Sequence, residues 1–505
     1  MIKNEMISES SEPGIPATTY REDKSDYKVA FIQDERMPQQ GIMSVSAVLK
    51  EHGFSTDIFS IVLEKENIID NILKSKPDLI GCSVMTPGFK AMMKVIYAIK
   101  ARNPSLFIVM GGHHPTFYPK VIEEEKELDA ICIGEGEYAM LELALSLRQG
   151  EINTNIKNLW LRQKNEVVKN GVMDLISDLD SLPFPDRDLY FRKYPFLAKE
   201  VIKFMIGRGC PFNCSYCFNK GMRDLYKGKG HWLRFKSNKR VIEEIKDVEK
   251  KYPMKWLSFV DDTFNANKER LKELLGLYKS EIKIPFICQL RIDAADEEQI
   301  ELLKQAGVER IAVGIEHGNE EFRKKILNRN MTNKQILDFS KWVNKRKVRI
   351  HTQNIMGFPG ETLEQVFSTI ELNAKIKPEF ANSNILTPYP GTDIYTYAKN
   401  NGYLDDDFSF ENIVGHNTSN DSNVKIKSEI KNKDILQIVN LRCFFMLLVW
   451  CPWAKPLVKI LIKFPYNRFF EFLWQITGNN RITWRYANWK ERRVLFNKLM
   501  RIVIS

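Results

Sequence analysis

The chain has 505 residues, of which 44% are hydrophobic and 28% are charged. Such a composition can bury a large core, so it excludes a disordered protein and suggests a globular one of two to four domains. The net charge of +11 is local, because residues 425–505 alone carry 16 Lys/Arg against 4 Asp/Glu, together with five of the nine tryptophans. We therefore expect this basic tail, rather than the whole surface of the protein, to contact an anionic partner.

The eight cysteines are scattered singly along the chain, apart from one cluster at 210–217. This spacing is not that of a disulfide framework, and it indicates a reducing, cytoplasmic setting. The N-terminal segment 1–26 is polar and has no central apolar run, so it reads neither as a secretory signal nor as a spanning helix. We interpret it as a disordered tail.

Residues 27–150 alternate short apolar runs, such as PDLIGCSV and LFIVMGG, with helical stretches. This βαβ rhythm predicts an α/β domain with a parallel, doubly wound sheet, whose ligands bind beyond the carboxyl ends of the strands. The candidate binding residues at those ends are Ser83, Gly111, Gly112, Glu135 and Gly136. Glycines there let a ligand approach the backbone, although ordinary turn chemistry explains them equally well.

Residues 151–200 contain three prolines and no sustained period, which predicts a linker. Over residues 201–405 the βα alternation occurs six times, which predicts a partial (βα)6 barrel rather than a closed eight-stranded one. The cysteine cluster and the motifs DD, GIE and GFPGE fall at the carboxyl ends of its predicted strands, where barrels place their active sites. Residues 406–505 are predicted to form a basic, helical C-terminal domain.

The stretch IGRGCPFNCSYCFNKG holds three cysteines within eight positions. Structural zinc needs four protein ligands, yet no second CxxC follows, and His231 lies fourteen residues beyond the last cysteine. A role in the buried core does not suit thiols surrounded by glycine, proline and asparagine. An iron–sulfur cluster fits best, because three cysteines would leave one iron of a 4Fe–4S cluster without a protein ligand and open to chemistry.

The CxxxCxxC spacing, with the aromatic Tyr216 before the last cysteine, resembles the signature of the radical S-adenosylmethionine (radical SAM) superfamily. SFVDDTFN, CQLRID, VGIEHGNEEF, GFPGETLEQV and TPYPGTDIY follow in the order of its cobalamin-binding branch, and GGHHPT and GEGE resemble the N-terminal domain of that branch. The resemblance covers roughly residues 27–405. It implies that Cys210, Cys214 and Cys217 hold a 4Fe–4S cluster whose open iron chelates S-adenosylmethionine.

The resemblance also implies the remaining contacts of the cosubstrate. Asp261 and Asp262 would contact the methionine amino group, as carboxylates accept hydrogen bonds from an ammonium. Arg291 would bind the methionine carboxylate, Glu316 would accept from the ribose hydroxyls, and GFPGET would shape the adenine site. Each assignment has a structural alternative: helix caps for the aspartates, an ion pair with Asp293 for the arginine, and a buried salt bridge for the glutamate.

The N-terminal domain resembles a cobalamin-binding module. Many such modules supply a histidine to cobalt from a DxHxxG pattern, which this chain lacks. His113 and His114 follow a Gly-Gly pair, but adjacent histidines at a strand end more often serve turns or hydrogen bonds. The expected state is therefore cobalamin without a protein histidine on cobalt, and loss of cobalamin from the domain stays open.

The segment 441–476 is apolar but interrupted by basic residues and prolines, and its longest uncharged run, 443–454, has twelve residues. A spanning helix needs ~20. We therefore expect the segment to lie on an anionic bilayer, with its tryptophans and cations at the interface. A helical cap on the barrel is the alternative, and no nucleic acid is expected, because tRNA-modifying relatives carry further cluster cysteines.

Taken with the resemblance, these features predict a radical SAM enzyme that uses a 4Fe–4S cluster, S-adenosylmethionine and cobalamin. A 5'-deoxyadenosyl radical would abstract hydrogen from an unactivated carbon of a lipid-like or secondary-metabolite substrate, and cobalamin would deliver a methyl group to it. The expected partners include an electron donor such as flavodoxin or ferredoxin, and the expected location is cytoplasmic, with a place at the inner face of the membrane left open. The alternatives are a radical cyclase or rearrangement enzyme, and a non-catalytic cobalamin or metal carrier.

Overall fold

The computed structural model describes residues 26–413 and 428–477, and its N-terminal domain is built on a seven-stranded sheet of order β2-β1-β3-β4-β5-β6-β7. The first five strands are parallel, and the last two run antiparallel. The strands are β1 Lys28–Gln33, β2 Ser55–Ser60, β3 Leu79–Ser83, β4 Phe107–Gly111, β5 Ala130–Cys132, β6 Leu159–Gln163 and β7 Glu166–Lys169.

Both faces of this sheet are covered by helices. Along β1, Val29 and Phe31 belong to one apolar core and Ala30 and Ile32 to another, so successive side chains are buried on opposite faces. The helices are α1 Gln40–Glu51, α2 Ile61–Glu64, α3 Ile68–Lys74, α4 Phe89–Arg102, α5 His113–Phe117, α6 Val121–Glu124 and α7 Glu137–Arg148.

The region predicted as a linker contributes to the first domain. Residues 159–169 form the hairpin β6–β7 on the edge of the sheet, where Leu161 pairs with Val168. Its two-residue turn requires a left-handed backbone, which Lys164 adopts at φ 56° without a glycine to signal it. Residues 170–200 then cross to the second domain with one short α-helix, α8 Asp188–Phe191, and one 3-10 helix, Pro195–Lys199.

The second domain is an open barrel of six parallel strands, in the order β15-β14-β13-β12-β11-β8. The two-residue strands β9 Gly207–Arg208 and β10 Arg234–Phe235 form an antiparallel ribbon beside it. The barrel strands are β8 Ile202–Phe204, β11 Leu257–Phe259, β12 Phe286–Leu290, β13 Val308–Glu316, β14 Arg349–Met356 and β15 Phe380–Ile385. The predicted fold, a Rossmann-like domain followed by a partial six-stranded barrel, is confirmed.

Helices cover the outer face of the barrel, and several begin at a residue whose side chain caps the helix. Asn267, for example, accepts the Arg270 backbone N–H through its side chain, as expected of an N-cap. The helices are α9 Phe218–Leu225, α10 Asn238–Lys251, α11 Lys268–Glu281, α12 Glu297–Gln305, α13 Glu320–Lys325, α14 Asn333–Lys345, α15 Leu363–Ile376 and α16 Asp393–Asn400.

Between residues 428 and 477, three C-terminal helices follow: α17 Ile435–Trp450, α18 Lys455–Leu461 and α19 Arg468–Thr477. α17 packs on the edge strand β15, where the Ala381 N–H donates to the Met446 sulfur and Arg442 Nε donates to the Ser383 carbonyl. The predicted contact with a bilayer therefore does not extend to α17, whose side chains form a core with the barrel. Within the two described ranges, no helix combines the length and apolar content that crossing a membrane requires.

Candidate functional site

The three clustered cysteines lie between β9 and α9, and all are free thiols. Cys210 and Cys214 are buried, and burial raises the pKa of the half-buried Cys217 to about 11. In the part of the chain that the structure describes, no three His, Cys, Asp or Glu side chains are arranged around a single metal ion. Three thiols on one loop suit a cluster, where each thiolate binds its own iron, and bound iron deprotonates a coordinating thiol.

Each cysteine sulfur has its own polar neighbour, and two of the three neighbours come from loops that follow other barrel strands. The pairs are Thr263 Oγ1 with Cys210 (3.2 Å), Arg291 Nη1 with Cys214 (3.0 Å) and Asn219 Nδ2 with Cys217 (3.6 Å). Nitrogen donors facing sulfur stabilise thiolates and help to set the potential of a cluster.

Arg329 occupies the centre of a buried polar group that the sequence analysis missed. Its Nη1 donates to the Tyr216 hydroxyl at 3.3 Å and lies 3.9 Å from Glu316 Oε1. The same nitrogen lies 3.7 Å from the Cys214 sulfur, and Nη2 donates to the Gly314 carbonyl. An isolated arginine in a loop belongs to no motif, so no sequence signal identifies it.

Glu316, the predicted ribose acceptor, ends β13 in a left-handed conformation with φ 64°. A non-glycine residue is strained in the left-handed conformation, and such strained residues are frequent at functional sites. Burial raises the pKa of Glu316, while the nearby Arg329 acts in the opposite direction. The structure thus contains the salt bridge considered as the alternative for this residue.

Asp261 and Asp262 follow β11 and have different surroundings. Asp261 Oδ1 accepts the backbone N–H groups of Ile206 and Gly207, both at 2.9 Å, so it holds the chain just before the cysteines. Its Oδ2 is buried without a hydrogen-bond partner among the described residues, and burial raises its pKa to about 7. Asp262 instead faces an open cavity. Neither aspartate caps α11, because Asn267 does.

Arg291 lies directly after the third barrel strand, β12. It forms the alternative ion pair with Asp293, at 2.6 and 3.1 Å, while its Nη1 contacts the Cys214 sulfur and its guanidinium stacks on Phe212. The arginine is therefore rigidly held beside the cysteine loop.

The GFPGE turn after β14 is organised by its own glutamate. Glu361 Oε2 accepts the N–H groups of Gly357 (2.6 Å) and Phe358 (3.0 Å), and Oε1 lies 3.0 Å from His317 Nε2. Both His317 and Glu361 are fully buried, so the turn is fixed in shape. This geometry is compatible with the predicted shaping role.

A cavity of about 590 Å³ lies between the two domains. All five strand-end candidates of the first domain line it: Ser83, Gly111, Gly112, Glu135 and Gly136. From the barrel it is lined by β9, by Asp262 and by the residues that follow Cys217. The carboxyl ends of both parallel sheets thus open into one space, although Glu135 already pairs with Arg208 (2.8 Å) and Arg234 (2.8 Å).

The two adjacent histidines have different positions. His113 lines the cavity and contacts the Phe218 ring, with centroids 3.9 Å apart. His114 is fully buried, with Nδ1 placed 3.2 Å from Thr86 Oγ1. Burial lowers the pKa of each to about 4, so both are neutral at pH 7.

Sequence comparisons assign both domains to known families. The radical SAM superfamily matches residues 204–372, and the B12 binding domain matches residues 34–144. An uncharacterized methyltransferase, PH0819 of Pyrococcus horikoshii, is 31% identical over 71% of this chain and 78% of its own length. The chain belongs to the cobalamin-binding radical SAM family.

Two further similarities show the breadth of this family. The anaerobic magnesium-protoporphyrin IX monomethyl ester cyclase of Rubrivivax gelatinosus is 26% identical over 71% of this chain and 66% of its own length. The fold matches the radical SAM methyltransferase TsrM of Kitasatospora setae, solved with cobalamin and a [4Fe-4S] cluster bound, with a TM-score of 0.62 at 16% identity over 75% of this chain and 78% of that one.

Family membership confirms the predicted enzyme class, a cobalamin-binding radical SAM methyltransferase, and its three cofactors. The residues present fit these groups. Three thiolates with separate polar neighbours suit a cluster, and a cavity formed by glycine-bearing strand ends suits a large flat cofactor. The individual roles of the site residues stay predictions.

The cysteine loop yields a first prediction. Substituting Cys210, Cys214 or Cys217 by alanine should abolish the 4Fe–4S cluster after anaerobic reconstitution, because each thiolate holds a separate iron. Cys451→Ala, a half-buried cysteine between α17 and α18, is the matched control and should retain full iron and sulfide content. A full-strength cluster in Cys214→Ala would contradict the assignment.

Proposed function

We propose that this enzyme methylates an unactivated carbon of a lipid-like small molecule. The observation that carries the proposal is the shared cavity, in which the strand ends of the B12-binding domain face the segment that follows Cys217. Hydrogen abstraction and methyl delivery both require the substrate carbon to reach the two cofactors, and a single cavity allows this without long movements. A small-molecule substrate is also consistent with the family.

When bound, the reduced cluster and S-adenosylmethionine supply a radical that abstracts hydrogen, and cobalamin supplies the methyl group. In our proposal Asp262 accepts hydrogen bonds from the methionine ammonium, while Asp261 positions the backbone before Cys210. Arg291 and Arg329 supply the positive charge that binds the methionine carboxylate, and Arg329 has a buried Nε without a partner in the described ranges. The electron donor is of the flavodoxin or ferredoxin class.

Histidine is not assigned to cobalt in this proposal. His114 Nδ1 lies beside Thr86, and its ring packs on Phe89 with centroids 4.3 Å apart. His113 contacts Phe218, so its orientation is accounted for by packing between the domains.

A radical cyclase is the second candidate, supported by the similarity to the anaerobic cyclase of Rubrivivax gelatinosus. The reaction products separate the candidates. With dithionite, cobalamin, methyl-labelled S-adenosylmethionine and a total lipid extract, methyl transfer should yield both 5'-deoxyadenosine and S-adenosylhomocysteine, together with label in a lipid fraction. 5'-Deoxyadenosine alone would indicate cyclisation or rearrangement, and neither nucleoside would indicate a carrier. Cys214→Ala protein is the blank.

Glu316 provides a test of the cosubstrate site. Glu316→Gln removes a buried charge that would accept from the ribose hydroxyls, so the Kd of S-adenosylmethionine should rise about 10- to 100-fold. Glu309→Gln is the matched control, because Glu309 lies at the other end of β13 in a half-buried pair with Arg349. Equal affinities of both variants in equilibrium dialysis would remove Glu316 from the site.

The lipid-like substrate class and contact with a bilayer are supported by an apolar face of the C-terminal helices. This face consists of Trp453, Leu457, Ile460 and Phe464, which are 81%, 58%, 58% and 55% exposed. Their spacing places them on one side of α18 and its flanking turns. Contiguous exposed apolar residues of this kind mark interaction surfaces.

The charges around the apolar face suit an anionic bilayer. Lys463 and Arg468 are exposed beside it, within a segment whose net charge is strongly positive. Lys455 and Lys459 instead point towards α15, where they pair with Glu371 (2.8 Å) and Glu364 (2.6 Å). Apolar insertion and attraction to anionic headgroups then act together.

Vesicle sedimentation tests this contact. The protein should bind vesicles that contain phosphatidylglycerol, and binding should weaken with salt. The triple variant Trp453→Ser, Leu457→Ser, Ile460→Ser should bind at least ~10-fold more weakly, because it loses the inserted apolar area.

The matched control changes three exposed apolar residues outside the C-terminal helices: Val62→Ser, Ile152→Ser and Phe196→Ser. It should bind like the unmodified protein. Equal loss in both triple variants, or preferential binding to RNA, would contradict the membrane proposal and favour a soluble substrate.

A further inference from the structure

A loop of the B12-binding domain contacts the cysteine segment on both sides. This loop, residues 134–137, has the sequence GEGE and connects β5 to α7; we call it the GEGE loop. The cysteine segment runs from Arg208, two residues before Cys210, to Tyr226, which ends the helix that starts directly after Cys217. The contacts therefore bracket all three cluster cysteines.

On the N-terminal side the contact is an ion-pair network centred on Glu135. Its Oε1 lies 2.8 Å from Arg208 Nη1 and 2.8 Å from Arg234 Nη2. Arg208 and Arg234 are partners across the β9–β10 ribbon, so one carboxylate holds both of its strands. Glu137 pairs with the other nitrogen of Arg208, at 2.5 Å.

On the C-terminal side the contact is made by a tyrosine. The Glu135 backbone N–H donates to the Tyr226 hydroxyl at 2.8 Å. Gly134 leaves the space for this contact, because a Cβ atom there would lie only 1.9 Å from the same hydroxyl oxygen. Gly134 also has φ 81°, a conformation that favours glycine. The glycine is thus required for the tyrosine to reach the loop.

The network is largely buried at the wall of the cavity and is balanced in charge. The side chains of Glu135, Arg234 and Glu137 are 10%, 5% and 4% exposed and that of Arg208 is 24% exposed, and two carboxylates face two guanidinium groups. Burial acts to raise the pKa of Glu135, but Arg208 and Arg234 hold it at about 2. Removing one member of such a network leaves an uncompensated buried charge, which a low dielectric environment does not screen.

We propose that the GEGE loop positions the cysteine segment, so that Glu135 controls the electrostatic environment of the cluster from the B12-binding domain without contacting the cluster. Glu135 was predicted as a cofactor contact on its position at a strand end. Its carboxylate oxygens are instead engaged by Arg208, Arg234 and the Ile176 backbone N–H at 3.1 Å. It is a positioning residue, and its effect reaches the cluster through Arg208.

The test uses the full-length protein with a reconstituted cluster and without substrate, so its result does not depend on the proposed methylation. Glu135→Gln removes one negative charge beside the cysteine segment and leaves Arg208 and Arg234 with one carboxylate. Loss of a negative charge near the cluster favours its reduced form, which carries one more electron. The midpoint potential of the cluster should therefore shift in the positive direction, and the EPR spectrum of the reduced form should change. Both are measured by EPR-monitored redox titration.

The matched control is Glu379→Gln. Glu379 also pairs with two arginines, Arg310 (3.2 Å) and Arg349 (3.8 Å), but it directly precedes β15, at the opposite end of the barrel from the cavity. The cluster of the Glu379→Gln variant should have the same midpoint potential and EPR spectrum as that of the unmodified protein. A Glu135→Gln variant that is indistinguishable from the unmodified protein would overturn the proposal, as would equal shifts in both variants.

A charge-compensated variant separates positioning from simple loss of stability. Glu135→Gln with Arg234→Gln removes one charge of each sign, so the midpoint potential should return towards that of the unmodified protein. If Glu135→Gln accumulates no cluster, recovery of iron and sulfide in the double variant supports the proposal. If neither variant holds a cluster and both unfold at lower temperature than Glu379→Gln, the network is merely structural and the proposal fails.

Discussion

A carboxylate of one domain shared between two arginines of the other is the interaction around which this molecule is organised. Glu135 lies in the loop at the carboxyl end of the first sheet, and Arg208 and Arg234 lie on the two-stranded ribbon beside the barrel. In a buried ion pair, the cost of removing the charges from water largely cancels their attraction. We therefore infer that this network orients the two domains and adds little to net stability. Bidentate arginine geometry is directional, which fixes how the two sheet ends face each other.

The parallel order of the barrel strands explains why separate elements meet at the cysteines. In a parallel sheet every strand delivers its following loop to the same edge, so residues distant in sequence converge without a special connection. Thr263 follows β11 and Arg291 follows β12, yet they contact the sulfurs of Cys210 and Cys214, while Asn219, only two residues after Cys217, contacts the third sulfur from the start of α9. Three thiolates are thereby placed in three distinct electrostatic environments.

The sequence predicted the architecture well because strand and helix periods depend on local patterns of burial, which β1 illustrates with its alternating cores. The sequence predicted less well which side chains pair with each other in the site. A glutamate in a glycine-rich loop resembles a ligand-binding residue, and only the fold reveals that Arg208 and Arg234 neutralise Glu135. The contacts of Asp261 and Arg329 could likewise be seen only in the fold. A backbone N–H partner leaves no motif in the sequence, and neither does a lone arginine in a loop.

The apolar C-terminal segment shows how one composition serves two physical needs. An open barrel leaves an edge strand with unpaired backbone groups, a hazard that proteins cover with a helix or loop. α17 meets this need for β15 through Met446 and Arg442, and its side chains are buried nearly all round. Beyond α17, Trp453, Leu457 and Ile460 are exposed, so packing on the barrel accounts for most of the first helix but not for these three residues. Because the lysines of α18 are tied inward to α15, the outward side of that helix is more apolar than its charge suggests. The surface available for an interface is therefore narrower and more hydrophobic than composition alone implied.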